Sequence, residues 1–361
     1  MGNRPVPFVN THSDYPMAVI RRRRCFQDHV MQAGYLPTQR NAGLCMEVMT
    51  VGTDHRFPIL GGVLDMAEPR TVIEILDAMH LELSETPDHY GLVLHGDDID
   101  PIIQAGRIAL MFNLEGVACV EDDFSLWRNY YRLGVRALSL THDPQNRMAS
   151  GCREPDGGLT RLGRRFVSEL NDYNVVLDLV HAGERSFFGA LEHYEGTVVV
   201  SHSNAKAVWD CPRNLTDDQI RAVGERGGFV AVMFCGAFLR EDASLATLDD
   251  VVRHIDHIAG LIGIDHVAVG PDYVDYMMDF FPDLLKPLGV EPGAVAWAKG
   301  GEQLATIQQL SQTLSAHGYK DEDIAKVMGA NALRVYRQIL SRHARGADGP
   351  GMHYGLGAKL E

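Results

Sequence analysis

The sequence predicts an α/β fold of the (β/α)8 barrel class, and three observations support this prediction. Eight short apolar runs alternate with longer amphipathic segments along the chain, as in folds built on parallel strands. The runs are bounded by turn residues and have the length of buried strands. Most of them stop on a histidine or a carboxylate, and a barrel gathers the carboxyl ends of its strands on one face. A doubly wound open sheet is the alternative, because strand order cannot be read from one sequence.

The sixth run illustrates how the strands are delimited. Thr197–Val200 is a β-branched stretch that reaches His202 after one polar residue. A polar loop follows, and Thr216 with Gln219 three residues later has the pattern of a capping box, which predicts the start of a helix. The eight strands are predicted at Pro7–Thr11, Gly43–Val51, Gly106–Leu114, Val135–Leu140, Asn174–Val180, Thr197–Val200, Gly228–Phe234 and Asp265–Gly270.

Helices are predicted in the segments between these strands. The best defined is Leu248–Leu261, which carries apolar residues on one face, begins after the candidate N-cap Thr247 and ends before Gly263. Two helical segments are expected to close the fold after the last strand. The remaining helix predictions are Thr71–Leu83, Gln303–Ser315 and Asp321–Leu340.

The predicted organisation is a single barrel domain over residues 1–343, followed by a glycine-rich tail over 344–361 that we expect to be loosely ordered. A long segment rich in proline and aromatic residues, Tyr273–Gly301, follows the last strand and is expected to fold over the mouth of the barrel. The basic run Arg21–Arg24 is interpreted as the solvated face of the helix after the first strand.

Composition limits the classes of partner. The 361-residue chain has a formal net charge of −15, which argues against nucleic acid and anionic membranes. No apolar stretch approaches the roughly 18 residues of a membrane span, and the first residues lack a signal-peptide pattern. The six cysteines are scattered without a C-x-x-C motif, which favours reduced thiols and a cytoplasmic location.

Seven side chains of metal-binding or proton-transfer type lie at the predicted carboxyl ends of strands. Imidazole nitrogens and carboxylate oxygens without thiolates suit a divalent transition metal. His12 and Asp14 are two residues apart and so share one side of a strand, and Glu115 could bridge two ions about 3.5–4 Å apart. The seven residues are His12, Asp14, Glu115, His142, His181, His202 and Asp272.

Each of these residues alone is weak evidence, since a single strand-end histidine is more often a hydrogen-bonded structural residue. The joint pattern indicates a site, because all seven would otherwise meet at one end of the barrel by coincidence. The helical residues His254 and His257 are interpreted as packing or surface residues. His55 is assigned no role, like the other histidines of loops and helices.

Longer motifs surround these residues. The most specific is the pair SHSNAKAV at 201–208 and RNLTDDQI at 213–220. Together the motifs resemble those of the renal (membrane) dipeptidase family, metallopeptidase family M19, from about residue 8 to 337. The other motifs are HSD at 12–14, NLEG at 113–116, LTH at 140–142, LDLVH at 177–181, GPD at 270–272 and MGANALR at 328–334.

The resemblance implies a barrel that binds two zinc ions. By this resemblance His12 and Asp14 would bind one ion, and His181 and His202 would bind the other. Glu115 would bridge the two ions. Zinc lowers the pKa of bound water to near 7, which would give a bridging hydroxide as the nucleophile at neutral pH.

The resemblance also implies hydrolysis of dipeptides with a free C-terminal carboxylate, with tolerance of a D-residue at that end. His142 would polarise the scissile carbonyl and stabilise the oxyanion. Arg213 would bind the substrate carboxylate, for which a guanidinium is well suited. Asp272 would bind the substrate amine and shuttle a proton. A homodimer is a further hypothesis.

Some positions depart from the family pattern. Asp143 stands where the family usually has asparagine after the strand-4 histidine, and residues 149–151 read Ala-Ser-Gly in place of Ala-Asp-Ser. Residues 270–275 and 233–235 differ as well. We therefore expect the pocket around the ends of the substrate to differ from that of other family members.

Two other functions remain open at this point. A different metal-dependent amide or ester hydrolase on the same barrel would share every ligand and differ only in its pocket. A metal-free binding protein that had lost catalysis would be expected to lack ligands, and all five are present.

Overall fold

Eight parallel strands form a nearly closed barrel in the computed structural model of the chain, which describes residues 5–59, 62–274 and 296–341. The strands are β1 (Phe8–Ser13), β2 (Leu44–Thr53), β6 (Ile108–Glu115), β7 (Val135–Ser139), β8 (Val176–Asp178), β9 (Val198–Ser203), β10 (Val230–Val232) and β11 (Val267–Val269). Each pairs in parallel with the next of this series. The predicted (β/α)8 barrel is therefore confirmed, and each of the eight predicted strands overlaps an observed one.

A side chain joins the seam between the last and first strands. The hydroxyl of Thr11 on β1 lies 3.1 Å from the carbonyl oxygen of Val269 on β11 and 2.5 Å from that of Ser201 on β9. Thr11 is fully buried. Because a buried carbonyl without a partner is costly, this hydroxyl stabilises the interior of the barrel between β1 and its neighbours.

Helices follow the strands and pack on the outside of the barrel, as this fold requires. They are α1 (Tyr15–Arg24), α2 (Val30–Gly34), α3 (Leu36–Asn41), α4 (Pro69–Glu85), α5 (Ile99–Gln104), α6 (Phe124–Arg132), α7 (Arg161–Leu170), α8 (Glu184–His193), α9 (Asp217–Glu225), α10 (Leu248–Ile262), α11 (Gln308–Ala316), α12 (Asp321–Ala325) and α13 (Asn331–Leu340). The predicted N-caps Thr216 and Thr247 are confirmed, and each forms a capping box.

Three strands were not predicted. The hairpin of β3 (Arg56–Ile59) and β4 (Gly62–Asp65) lies between β2 and α4. Its first strand contains Pro58. Proline lacks a backbone N–H for pairing, so its presence in a sequence lowers the expectation of a strand. The three-residue strand β5 (Tyr90–Leu92) pairs with the first half of β6 and is too short to show a hydrophobic period.

The predicted helix Asp321–Leu340 is interrupted. A turn of π-helix at Lys326–Ala330 separates α12 from α13. A Cβ atom on Gly329 would lie 3.0 Å from the Val9 side chain and 3.2 Å from the carbonyl oxygen of Pro7. The glycine therefore permits the turn to approach β1 closely, which explains a break that a helical hydrophobic pattern does not reveal.

The basic run after β1 differs from the prediction of a solvated face. Arg23 is mostly covered and pairs with Glu82 on α4 at 2.7 Å, and also with Glu85. Arg24 pairs with Glu74 on the same helix at 2.7 Å. Two of the arginines therefore attach α1 to α4, because α4 presents carboxylates at this contact.

Two other predictions fall largely outside the described residues. The tail at 344–361 is not described, and of the segment Tyr273–Gly301 only 273–274 and 296–301 are described. Trp297, at the end of that segment, donates hydrogen bonds to the carbonyl oxygens of Pro271 and Asp272 beside the last strand. None of the described helices combines the length and the apolar character that a membrane crossing requires.

His254 on α10 has the packing role predicted for it. Its Nδ1 accepts the backbone N–H of Ala205 at 3.1 Å, and its Nε2 donates to the carbonyl oxygen of Leu239 at 3.1 Å. The ring is fully buried, and burial lowers its pKa to about 4. The neutral ring therefore links the loops that contain Ala205 and Leu239 to α10 by hydrogen bonds.

This contact predicts a pH-dependent loss of stability. The unfolded chain binds a proton on His254 near pH 6.5, whereas the folded chain binds it near pH 4, so the free energy of unfolding decreases as the pH falls between these values. Urea unfolding at pH 7.5 and 4.5 should show a loss in the parent that exceeds the loss in His254→Gln by about 2.5 kcal/mol. His193→Gln, in the last turn of α8, is the control. Equal losses in the parent and His254→Gln would contradict this account.

Candidate metal centre

The carboxyl ends of β1, β6, β8 and β9 bring imidazole and carboxylate groups together around Glu115. The Oε1 atom of Glu115 lies 3.1 Å from His181 Nε2 and 3.3 Å from His202 Nε2. The same oxygen atom lies 3.6 Å from His12 Nε2. The Nε2 atoms of His181 and His202 are 3.1 Å apart. One buried carboxylate oxygen is thus in reach of histidines from three different strand ends.

His12 also faces two further carboxylates. Its Nε2 lies 3.6 Å from Asp14 Oδ1 and 3.6 Å from Asp272 Oδ1. His12 is buried, whereas the side chains of Asp14 and Asp272 keep 18% and 26% of their surface exposed. This group is therefore reachable from the mouth of the barrel.

The carboxylates determine the protonation of His12. Burial disfavours charge on this ring, but Glu115, Asp14 and Asp272 outweigh that effect and raise its pKa to about 10. Burial also raises the pKa of Glu115 well above its ordinary value; His12 opposes that shift, and Asp14 and Asp272 add to it. The excess of carboxylates over positive groups makes this pocket favourable for a cation.

His181 and His202 differ from His12, because their pKa values are lowered. Burial lowers the pKa of His181 well below its usual range, and the positive charge of Arg213 lowers it further. Burial lowers the pKa of His202 in the same way, with His12 and Arg213 adding to the effect. Both rings are therefore neutral at pH 7, which is the form in which imidazole binds metals.

Two of the site residues have a left-handed backbone conformation that residues other than glycine rarely adopt. The φ angle is 62° at His181 and 59° at Asp272. Below them, the carboxylate of Asp178 accepts the backbone N–H groups of Val180 at 3.0 Å and Ser201 at 3.1 Å. Such conformations persist where the surrounding structure enforces them, and they concentrate at functional sites.

Arg213 reaches the centre from the loop between β9 and α9. Its guanidinium donates to the carbonyl oxygen of His202 at 2.8 Å and lies 3.1 Å from His181 Nε2. The residue is 4% exposed. In the described part of the chain no ion pair joins it to a carboxylate. A buried guanidinium without an acidic partner is a ready receptor for an anionic group.

His142 lies at the same centre, after β7. Its Nε2 is 3.7 Å from Glu115 Oε2, and its ring stacks on that of His181 with centroids 4.0 Å apart. The next residue, Asp143, places Oδ1 2.9 Å from His181 Nδ1. A carboxylate that accepts the second N–H of a histidine fixes the tautomer and orientation of that ring. The structure thus brings together all eight residues singled out in the sequence, counting Arg213.

Asp54 and His55 follow β2 and contact His142, and neither was predicted to belong to the site. His55 Nε2 lies 2.5 Å from His142 Nδ1, and Asp54 accepts the backbone N–H of His142 at 3.1 Å. A Cβ atom at Gly116, where φ is 104°, would lie 2.4 Å from the Asp54 carboxyl, so glycine is needed beside Glu115. The predicted strand ends at Val51, whereas β2 continues to Thr53. A strand predicted with the correct end would have placed Asp54 and His55 at its carboxyl end, where the other site residues lie.

The residues present fit divalent cations. His12 Nε2 and Asp14 Oδ1 are buried and, among the described residues, have no hydrogen-bond partner. A bound cation would satisfy such orphaned lone pairs. Several triads have donor atoms within 4.8 Å of one another and could hold an ion, and Glu115 belongs to two of them. Three of these groups offer only nitrogen and oxygen atoms, and the fourth, of Asp143, Cys152 and His181, adds a thiol that the sequence analysis did not predict. All of these donor types suit zinc and similar metals.

Comparison with known proteins identifies the family. Residues 6–347 match the family described as membrane dipeptidase, peptidase family M19. Dipeptidase verJ of Clonostachys rogersoniana is 29% identical, over 92% of this chain and 84% of its own length.

Two solved structures share the fold. An amidohydrolase from Pseudomonas aeruginosa has a TM-score of 0.77 at 22% identity and covers 93% of this chain and 97% of its own. A metallopeptidase from Rhodobacter sphaeroides, liganded with a phosphinate mimic of the dipeptide L-Ala-D-Ala, has a TM-score of 0.77 at 19% identity and covers 93% of this chain and 99% of its own. The match over nearly the whole sequence establishes the family, and the chain therefore belongs to the membrane dipeptidases of peptidase family M19 and is a metallo-dipeptidase.

Proposed function

We propose that the chain is a zinc-dependent dipeptidase with two metal ions. His12 and Asp14 would hold one ion, His181 and His202 would hold the other, and Glu115 would contribute to both. The substrate is a dipeptide with a free C-terminal carboxylate, and a D-residue is accepted at that end.

The position of Glu115 carries this proposal. Its Oε1 is within 3.6 Å of the Nε2 atoms of three histidines, and a carboxylate between separate sets of donors is the arrangement that a two-metal site needs. Glu115 belongs to two groups of donors that could each hold an ion, one with His12 and His202 and the other with His142 and His181, which supports a pair of ions over a single one. When bound, zinc ions lower the pKa of water to near 7 and so supply a nucleophile at neutral pH.

The chain's own groups would bind and orient the dipeptide. Arg213 is the anchor for the C-terminal carboxylate, since its buried guanidinium is unpaired by any described acid. His142 donates from Nε2 to the carbonyl oxygen of the scissile bond and stabilises the charge that develops there. Asp272, whose pKa is raised by burial, takes a proton from water and delivers it to the leaving amine.

Tolerance of a D-residue rests on the family resemblance and on the anchoring by Arg213. If the carboxylate fixes the C-terminal residue, its side chain can face the mouth of the barrel and its chirality matters little. The relative from Rhodobacter sphaeroides was solved with a mimic of L-Ala-D-Ala, which makes this dipeptide a suitable first substrate. The cytoplasmic location and the homodimer stay predictions.

Removal of the bridging charge should weaken both metal ions together. In Glu115→Gln the amide oxygen is a poorer ligand, so competition with a chromophoric chelator should show lower affinity for the first and the second zinc equivalent. The exposed Glu192→Gln is the control and should match the parent. Two equivalents held at parental affinity in Glu115→Gln would rule out the bridge.

Loss of the proton shuttle should affect turnover more than metal content. Asp272→Asn should lower kcat by roughly 10²-fold or more, the usual scale for acid–base groups, with zinc content largely retained. Steady-state kinetics and elemental analysis of the same sample test this. Near-normal turnover would remove Asp272 from the reaction, and a large loss of zinc would make it a ligand instead.

Recognition of the carboxylate should depend on Arg213. The parent should hydrolyse L-Ala-D-Ala and L-Ala-L-Ala far faster than L-Ala-D-Ala amide, because a charge-assisted hydrogen bond contributes about 1.5–3 kcal/mol. Arg213→Met should lower kcat/KM for the free acids by roughly 10- to 100-fold and leave the amide nearly unchanged.

The control for this prediction is Arg153→Met, because Arg153 is half exposed and pairs with Asp143 at 3.1 Å close to the centre. If the parent cleaves the amide as fast as the acid, or if only Arg153→Met loses the preference, the role of Arg213 is wrong. If the parent cleaves L-Ala-L-Ala but not L-Ala-D-Ala, only the proposed tolerance of a D-residue is wrong.

A further inference from the structure

The end of β2 supplies none of the proposed metal ligands, yet it contacts the site through Asp54 and His55. The Asp54 carboxylate accepts the backbone N–H groups of Ala118 at 2.8 Å and His142 at 3.1 Å. It also accepts the side-chain amide of Asn146 at 2.9 Å. Asp54 therefore ties the loops after β6 and β7 to the end of β2, and this holds the next residue, His55, against His142.

The rings of His55 and His142 meet edge to face. Their planes make an angle of 83°, their centroids are 4.0 Å apart, and His55 Nε2 lies 2.5 Å from His142 Nδ1. The backbone N–H of Asp143 points at the same Nδ1 atom at 2.7 Å. A backbone N–H can only donate, so His142 Nδ1 is an acceptor. His55 must then direct a protonated Nε2 at it.

These contacts select one tautomer of His142. With Nδ1 as acceptor, the neutral ring carries its proton on Nε2. That nitrogen atom faces the metal centre, 3.7 Å from Glu115 Oε2. A group that stabilises a developing oxyanion must present an N–H in a fixed position before the reaction begins.

We infer that His55 is a positioning residue: together with the backbone N–H of Asp143, it holds the tautomer and ring orientation of His142 that present the Nε2–H at the metal centre. Its functional consequence rests on the role of His142 in the proposed function. His55 is absent from every group of described residues that could hold an ion. Its contact is with the far side of the His142 ring, at the nitrogen that does not face Glu115.

Kinetics test this inference with zinc-loaded protein and L-Ala-D-Ala. His55→Leu should lower kcat by about 10-fold, less than the 10²–10³-fold typical for loss of an oxyanion donor itself. KM should stay within about twofold and zinc content should not change. His55→Gln, whose amide N–H can reach the same acceptor, should restore most of the turnover. Full activity of His55→Leu, or a change confined to KM, would overturn the inference.

A double-mutant cycle separates positioning from direct contact with the substrate. If His55 acts through His142, His55→Leu should have no further effect in a His142→Ala background. Additive losses would overturn the inference, because they would mean that His55 contacts the substrate independently. Normal turnover of His142→Ala alone would instead contradict the proposed function.

Nuclear magnetic resonance of protein with 15N-labelled histidine tests the tautomer without any turnover. The His142 signals, assigned by their loss in His142→Ala, should show protonation at Nε2 in the parent. In His55→Leu the signal of His142 Nδ1 should shift, because this atom loses one of its two hydrogen-bond donors and keeps only the backbone N–H of Asp143. His257→Leu, on the outer helix α10, is the control and should leave the His142 signals unchanged. Protonation at Nδ1 in the parent, or identical signals in His55→Leu, would overturn the inference whatever the substrate proves to be.

Discussion

The carboxylate of Glu115 is buried in contact with three imidazole rings, and the charge balance around it constrains the whole mouth of the barrel. Buried carboxylates are costly unless positive charge compensates them. Without an ion, that charge comes from a proton on His12, whose pKa is raised to about 10 by Glu115, Asp14 and Asp272 against the effect of burial. A divalent cation meets the same requirement and also occupies the orphaned lone pairs of His12 and Asp14.

Much of the fold could be predicted because each barrel strand carries its own local signal. Short apolar runs bounded by turn residues, and capping boxes such as the one at Thr216, depend on neighbouring residues alone. Features that depend on distant contacts could not be predicted. The break at Lys326–Ala330 exists because Gly329 packs against β1, and Arg23 is covered because α4 places Glu82 beside it.

The predicted site shows the same division. Its candidate ligands could be predicted because a barrel brings the carboxyl ends of its strands together, so a histidine or carboxylate at a strand end lies close to the others in space. Their assignment to particular ions came from the family resemblance and stays a prediction. His55 was missed because its role depends on one contact with His142 across the barrel mouth. Asp143 was noticed only as a departure from the family, and its hydrogen bond to His181 is a property of the folded chain.

Anomalous diffraction at the zinc absorption edge, from crystals of the zinc-loaded protein, tests the central claim most directly. The account predicts two peaks on either side of the Glu115 carboxylate, one beside His12 and Asp14 and the other beside His181 and His202. A single peak would contradict it, and so would a second peak away from Glu115, for example between Asp143 and Cys152.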